Sequence, residues 1–308
     1  MAASVGTTST TSTALKQYWH DFFIERLVDN LSMKGLTKRA RVPNGNGTTV
    51  FWVGISKVSA AGAAGTEGAD PTTRSSAAFR VSAVLGEYVN LVKNSRLFMD
   101  TAIDGTREQI ISDLARDAAK LADDTVLGTA LGGSNVVFGG AATHRSNIVL
   151  ASTATIKAVR KAVRLLQISS VPRFPDGYYV GLVHPDVAFD LQSDSAWLDV
   201  NRYRDSVKYD IVGEVGSLYG VRFALAPTIP LLVNSGSAAV DIYRTLVFGP
   251  DYIGQSDLGD LEVVINEPGK TSELGMFNTY GYRFVMARAI LQNARGVRVE
   301  SSATLGTN

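Results

Sequence analysis

The chain contains no cysteine, and only three histidines occur among its 308 residues. The absence of cysteine excludes disulfide bonds, thiolate metal sites and cysteine nucleophiles. Neither an HExxH pair nor a GxSxG or GxGxxG pattern is present, so the usual signals of metalloproteases, hydrolases and dinucleotide-binding enzymes are missing. Asp123 and Asp124 are adjacent and would point to different faces of a helix, which excludes them as a carboxylate pair. The sequence therefore predicts no enzyme activity, no metal and no cofactor.

Charge is also scarce. Charged residues make up 19% of the chain and the net charge is +1, whereas ordinary globular domains have ~25% charged residues. A low charge fraction is typical of a surface that neighbouring subunits cover, although an enzyme with a large buried core would share it. No apolar run reaches the ~20 residues of a membrane span, and the N-terminus lacks the basic-then-apolar pattern of a signal peptide. We expect an interface-rich protein of the cytosol, with no membrane partner and no strong attraction to nucleic acid.

The N-terminal region predicts an arm. Residues 1–13 are almost all Ser, Thr, Ala and Gly, a composition that cannot order itself by burying apolar surface. Residues 14–33 place large apolar side chains at helical spacing, with Trp19 among them. This helix could dock on the core of its own subunit or pack as an arm on an adjacent one, and the sequence favours neither.

Residues 46–95 predict a long β-hairpin. Side chains alternate along 49–55, a returning strand is predicted over 79–92, and a flexible tip rich in Gly and Ala joins them at 60–76. Because an isolated two-stranded ribbon is marginal in water, the hairpin must lie on another subunit or, in the alternative, fold back on its own domain. The candidate contact residues are Phe51, Trp52, Glu67 and Arg74.

Two helices are predicted after the hairpin. The first covers 106–128, with Thr106 and Gln109 in the positions of a capping box and Gly128 as a stop. The second covers 153–167 and has one apolar face. Its other face carries the basic residues Lys157, Arg160, Lys161 and Arg164. A solvated face is the usual explanation for such residues, and contact with nucleic acid or a protein partner is the alternative.

A buried strand running into a short helix is predicted in the middle of the chain. The strand covers 178–183, and Pro185 after it suits the first turn of a helix because it needs no backbone donor there. Asp186 lies where the helix dipole favours an anion. His184 could mimic an acid–base site with these neighbours, but a helix-capping imidazole is favoured. A second strand is predicted over 220–226.

The last sixty or so residues return to strands. They are predicted over 244–254, 261–269 and 276–301, the last as one long strand. No internal repeat is visible, which argues against solenoids and propellers. Helices and strands together indicate an α+β fold.

Two phrases of this sequence resemble a known family. GYYVGLVHPDVAFDL at 177–191 and GEVGSLYGVRF at 213–223 are similar to "GYYVAxxHPDVxxDL" and "GEIGxLGGVRF" of a branch of the major capsid proteins of tailed bacteriophages, which have the Hong Kong 97-type capsid fold. Tyr219 stands where that branch usually has a small residue. The order of elements on either side also fits, so the resemblance covers about residues 20–300.

The resemblance implies a division into four parts. They are an N-terminal arm (1–45), an extended β-hairpin loop (46–95), a peripheral domain with a long spine helix (96–150 and 245–308), and an axial domain (151–244). It also places the loop at 193–210 near the local symmetry axis of the capsomer. Mixed charges around aromatic anchors suit a ring interface between identical subunits, and a solvated loop is the alternative. The candidate contact residues there are Trp197, Arg202, Arg204 and Asp205.

The function implied by the resemblance is mechanical. Copies of the chain would form hexamers and pentamers, assembled in the host cytoplasm into the icosahedral head shell of a virion. The shell would enclose double-stranded DNA without sequence-specific binding. Expected partners are a separate scaffolding protein, the portal and, in some phages, a decoration protein. An encapsulin-like cellular compartment of the same fold is the alternative, and a soluble α+β enzyme ranks third.

Overall fold

The computed structural model describes residues 32–33, 35–42, 47–55, 67–68, 76–101, 106–194, 197, 214–266 and 276–305. The helices in these ranges are α1 (Arg96–Thr101), α2 (Thr106–Ala130), α3 (Ile156–Ile168) and α4 (Pro185–Ser193). The strands are β1 (Lys38–Val42), β2 (Thr49–Ile55), β3 (Ala78–Val84), β4 (Gly86–Ser95), β5 (Val136–Phe138), β6 (Tyr179–Val183), β7 (Glu214–Leu218), β8 (Val221–Leu225), β9 (Tyr243–Phe248), β10 (Ile253–Asn266), β11 (Phe277–Ile290) and β12 (Gly296–Ser301).

A six-stranded sheet with the order β5-β12-β9-β6-β8-β7 forms the centre of one half of the subunit. All five residues of β6 are buried, as expected for a strand covered on both faces, which reads as a continuous apolar run. Tyr179 and Val183 face the core that contains the buried side of α3. Val180 and Leu182 face the opposite core, which contains the end of α2 around Leu127. The sheet is therefore a middle layer between helices.

A four-stranded sheet with the order β1-β10-β11-β4 forms the other half. The first part of α2 packs on it, where Leu114 and Ala118 meet Tyr280 and Tyr282 of β11. The same helix reaches the six-stranded sheet at its other end. Helix α2 therefore connects the two halves along its 25 residues.

Strands β2 and β3 form a separate antiparallel ribbon, paired from Thr49 opposite Val84 to Ile55 opposite Ala78. The ribbon leaves the body of the subunit where β3 ends. Leu85 separates it from β4 and donates its N–H to the Thr48 carbonyl at 2.8 Å. One chain segment thus supplies both the ribbon and the edge of the four-stranded sheet.

The helices agree with the sequence predictions. The helix predicted over 106–128 is α2, and the helix predicted over 153–167 is α3. Gly128 lies inside α2 rather than at its end, and the Gln109 side chain donates a hydrogen bond to Asp113 at 3.3 Å. Periodicity of apolar residues was sufficient here because both helices bury one long stripe.

The predicted strands were wrong in four places. The segment 244–254 contains most of β9 and the start of β10, which a turn separates. The returning strand over 79–92 is two strands, since β3 pairs with β2 and β4 pairs with β11. Of the segment predicted over 261–269, the described residues 261–266 are the second half of β10, a 14-residue strand whose register shifts between Leu258 and Glu262. The segment 276–301 is β11 and β12, separated by a short 3-10 turn. In each case the pairing partner decides where a strand begins and ends, and a local pattern of residues does not show which partner that is.

The six-stranded sheet crosses the limits predicted for the axial domain. It combines β6, β7 and β8 with β5 and β12, which lie outside the predicted range 151–244, and with β9, which spans its end. The division into four parts therefore stays a prediction, while the two sheets are the physical units of the described chain.

Candidate subunit interfaces

The outer face of the β2–β3 ribbon is apolar and uncovered. We define it by Phe51, Val53, Ile55 and Val84, which are between 50% and 75% exposed. Arg80 lies over the ring of Phe51, 4.7 Å from its centroid, and covers only part of this surface. Large contiguous apolar patches on a soluble chain usually mark a contact site.

The inner face of the ribbon contacts its own subunit. The ring of Phe79 lies over Gly54, its direct partner across the ribbon, so that a Cβ at Gly54 would clash with the ring. Trp52 packs against β10, where a Cβ at Gly254 would lie 2.9 Å from the indole. Phe51 and Trp52 alternate sides as predicted, but the partner of Trp52 is internal. Phe51 alone of the two is available to another subunit.

A second apolar surface lies on the four-stranded sheet, on the side opposite α2. Val89 and Leu91 of β4 are about two-thirds exposed there, at 64% and 65%. Beside them Arg283 forms an exposed ion pair with Glu87 at 2.6 Å. The sequence did not predict this surface, because alternating residues over 79–92 indicate a hairpin strand and do not reveal the pairing of β4 with β11.

The buried carboxylate of Asp123 holds the start of the described chain on α2. It accepts hydrogen bonds from the Ser32 N–H at 2.9 Å, the Ser32 hydroxyl at 3.0 Å and the Met33 N–H at 2.8 Å. The side chain of Met33 is 2% exposed and packs into the core beside it. Asp123 therefore attaches the chain at Ser32 and Met33 to α2. The sequence did not predict this role for Asp123.

Trp197, a predicted contact residue between subunits, is buried in its own subunit. Its ring is 4% exposed and lies 5.6 Å from the ring of Phe223, in the core between α3, α4 and the six-stranded sheet. It also covers Gly216, where a Cβ would lie 3.0 Å from the ring. Trp197 thus belongs to the core of its own subunit because β7 and β8 present an apolar surface to it.

The other predicted contact residues are placed as follows. Glu67 is exposed, in a turn with Gly68. Trp19, Arg74, Arg202, Arg204 and Asp205 lie outside the described residues. Their role in contacts between subunits stays a prediction.

His184 caps α4, as its sequence context predicted. Its Nδ1 accepts a hydrogen bond from the Asp186 N–H at 3.3 Å, and Pro185 begins the helix. The Asp186 carboxylate also accepts a hydrogen bond from the Tyr243 hydroxyl at 2.9 Å. Burial lowers the pKa of His184 more than the charge of Asp186 raises it. The imidazole is therefore kept neutral, as a capping acceptor requires.

This cap predicts a specific pH dependence. Because the pKa of His184 is lower in the folded chain than in the unfolded chain, its contribution to stability is complete above ~6.5 and is lost as the pH falls through the folded value. His184→Asn, which keeps a capping acceptor that does not titrate, should lose less stability than the wild type between about pH 7.5 and pH 5. Urea unfolding of both proteins at each pH measures this. An equal loss in both proteins would assign the effect to other groups.

A cluster of one carboxylate and two arginines lies at the six-stranded sheet. The Glu300 carboxylate has no exposed surface and accepts from Arg145 at 2.9 and 2.6 Å and from Arg298 at 2.8 Å. Burial raises the pKa of Glu300, but the hydrogen bonds and charges of the two arginines outweigh it and hold that pKa below its usual range. The cluster joins β12 to the loop after β5 and is structural in character.

The described residues contain no group of three or more side chains suited to bind a metal ion. Among the helices in the same ranges, none is long and apolar enough to cross a bilayer. The outer face of the ribbon and the surface around Leu91 are therefore the candidate sites for binding a partner.

No protein-family model matches the chain, and no curated protein matches it. Solved capsid structures do. The capsid of Ralstonia phage GP4 matches with a TM-score of 0.77 at 13% identity, covering 100% of both chains. The capsid of cyanophage Pam1 matches with a TM-score of 0.74 at 16% identity, covering 99% of this chain and 100% of that one. The capsid of cyanophage P-SCSP1u gives 0.73 at 12% identity, covering 98% and 96%. The chain therefore has the Hong Kong 97-type fold of tailed-phage capsid proteins, as the two sequence phrases predicted.

Proposed function

We propose that this chain is the structural subunit of an icosahedral phage head, in which copies form hexamers and pentamers around double-stranded DNA. The observation that carries the proposal is the fold shared with phage capsids over the whole chain. The outer face of the ribbon supports it independently, because that face is apolar and its side chains are at least half exposed among the described residues.

In this proposal the ribbon is the extended loop and lies across a neighbouring subunit. Burying one large aliphatic or aromatic side chain contributes about 1.5–3 kcal/mol, and the outer face offers several. Each contact is modest, but every subunit repeats it. Shell stability would come from the sum of these contacts, and enzyme activity has no part in it.

The remaining parts have proposed places as well. The N-terminal arm, attached at Asp123, would extend to a neighbour, and the loop at 193–210 would line the ring around the capsomer axis. The burial of Trp197 supports the place proposed for the loop, since this side chain fixes one point of the loop to the core. Arg202, Arg204 and Asp205 would then meet partners in the next subunit, a head-to-tail contact that closes only at the right copy number.

The proposed partners are the chain itself, a scaffolding protein, the portal and a decoration protein in some phages. Assembly would occur in the host cytoplasm and end in the virion. The DNA would be retained by enclosure, without sequence readout.

The proposal predicts self-assembly. The full chain expressed with its scaffolding protein should form closed shells or sheets of hexamers, because the outer face of the ribbon and the surface around Leu91 must find cover. Negative-stain electron microscopy and light scattering over a range of concentrations measure this outcome. Monomers at every concentration, with and without scaffold, would contradict the proposal. Shells that contain enzymes instead of DNA would indicate a cellular compartment.

A further inference from the structure

The exposed side of α3 carries a row of positive charge. We call it the basic stripe and define it by Lys157, Arg160, Lys161 and Arg164, all exposed. These positions are spaced i, i+3, i+4 and i+7, so the four side chains follow one face of the helix. The opposite face, with Val159, Val163 and Leu166, is buried in the core. The stripe is therefore held rigidly by a packed helix.

Within the described residues, no carboxylate compensates the stripe. It lines an open groove of about 490 Å³ whose other lining residues are Val163, Gln167 and Tyr219. None of the ion pairs between described residues includes any of the four cations. A chain with a net charge of only +1 thus concentrates four uncompensated cations in one groove.

Tyr219 forms the far wall of the groove in an unfavourable backbone conformation. The loop between β7 and β8 has two residues, Tyr219 at φ 50° and Gly220 at φ 80°. A turn of this kind needs positive φ at both positions, and Asn, Asp or Gly usually occupies the first. The Tyr219 ring is placed beside Arg160, whose guanidinium carbon lies 5.1 Å from its centroid. A strained aromatic residue beside a cationic row points to a function in binding.

We propose that the basic stripe and Tyr219 bind the phosphate backbone of duplex DNA without reading its sequence. The proposal rests on the proposed function in one respect, that the shell encloses such DNA. The stripe runs from Lys157 to Arg164, a rise of ~10 Å along the helix, which corresponds to about three phosphates of one strand at ~3.4 Å each along the duplex axis. Two of the four cations are arginines, which suit bidentate contacts with phosphate.

An acidic protein segment fits the groove less well. Peptides that dock in grooves usually contribute apolar anchors that fill apolar pockets. Here the only aliphatic side chain in the lining is Val163, which is 5% exposed and lies at the floor. The groove offers charge and one aromatic ring, which is the composition that a sugar–phosphate backbone needs.

The test uses the soluble full-length subunit and a fluorescently labelled 20-base-pair duplex. Anisotropy is measured between about 50 and 200 mM salt, the range over which phosphate contacts weaken strongly. Arg160→Gln/Arg164→Gln should lower affinity roughly tenfold at the lowest salt and reduce the log–log salt slope by roughly 2, one unit for each lost contact. Lys157→Gln/Lys161→Gln should lower the affinity and the salt slope by the same amounts. Agreement between the two double variants would show that the loss does not come from a local folding defect in one of them.

The matched control is Arg96→Gln/Arg283→Gln. It removes two charges as well, but from exposed ion pairs with Asp100 and Glu87 on the four-stranded sheet and its adjoining helix. This control should keep the salt slope of the wild type. Equal losses in the control and the stripe variants would overturn the proposal, because binding would then follow net charge alone.

Two further measurements separate the remaining outcomes. Tyr219→Asn suits the turn and should lower affinity at an unchanged salt slope, since an uncharged contact is lost. Polyglutamate of matched charge is the competing probe, and tighter binding of polyglutamate than of the duplex would overturn the DNA assignment. Shell assembly of the stripe variants is scored separately and should be normal, so failure of DNA binding and failure of the capsid role remain distinguishable.

Discussion

Replacing Glu300 with Gln should lower the free energy of unfolding by about 3 kcal/mol. Removing one partner of a buried ion pair costs about 3–5 kcal/mol because the other partner is left without its counter-charge. The lower end applies because the side chain of Arg145, one of the two arginines, remains 43% exposed, so water can solvate part of its charge. Urea unfolding at neutral pH, followed by circular dichroism, measures the difference.

Glu87→Gln is the matched control for Glu300. It removes the same carboxylate from an ion pair with Arg283 in which both side chains are about half exposed, and such pairs contribute only ~0–1 kcal/mol. The difference between wild type and Glu300→Gln should also shrink in acid. The pKa of Glu300 is lowered in the folded chain, so its stabilisation is present above ~4.3 and disappears as the pH falls through the folded value. Equal destabilisation by both variants would show that burial of Glu300 contributes nothing.

Phe51→Ser should abolish or strongly reduce shell assembly while the subunit keeps its stability. Phe51 is 50% exposed and lies on the outer face of the ribbon, so its removal costs little inside the subunit. If a neighbour buries the ring, each contact loses up to ~3 kcal/mol, and the loss repeats at every subunit of the shell. Light scattering and electron microscopy measure assembly, and thermal unfolding of the unassembled subunit measures stability.

Trp52→Ser gives the opposite pattern and serves as the control. Trp52 packs on Gly254 of its own subunit, so the change should lower the free energy of unfolding by roughly 2–3 kcal/mol, below the ~3–5 of a fully buried aromatic residue. Both ribbon variants change an aromatic residue to Ser at neighbouring positions. Unfolding of the Phe51→Ser subunit, or normal shells from it, would remove the outer face from the interface.

Sequence alone was sufficient for the parts of the fold that depend on residues close together in the chain. The periodicity of α2 and α3 and the corner at His184 and Pro185 were predicted because helix faces and caps are set by neighbours within four residues. The two phrases around 177–191 and 213–223 likewise indicated the fold that the capsid structures share. The absence of cysteine excluded thiol chemistry without any structure.

Tertiary structure decided what depends on residues far apart. The sequence could not divide 79–92 between two sheets, because alternation looks the same in both and only the pairing of β4 with β11 separates them. It could not predict which of Phe51 and Trp52 packs inside the subunit and which stays exposed, since the partner of Trp52 lies about two hundred residues away at Gly254. Asp123 became an anchor only by meeting Ser32, 91 residues earlier. Strand pairing and burial are properties of the assembled chain, so local patterns specify which faces are apolar, and only the fold determines which of those faces remain uncovered.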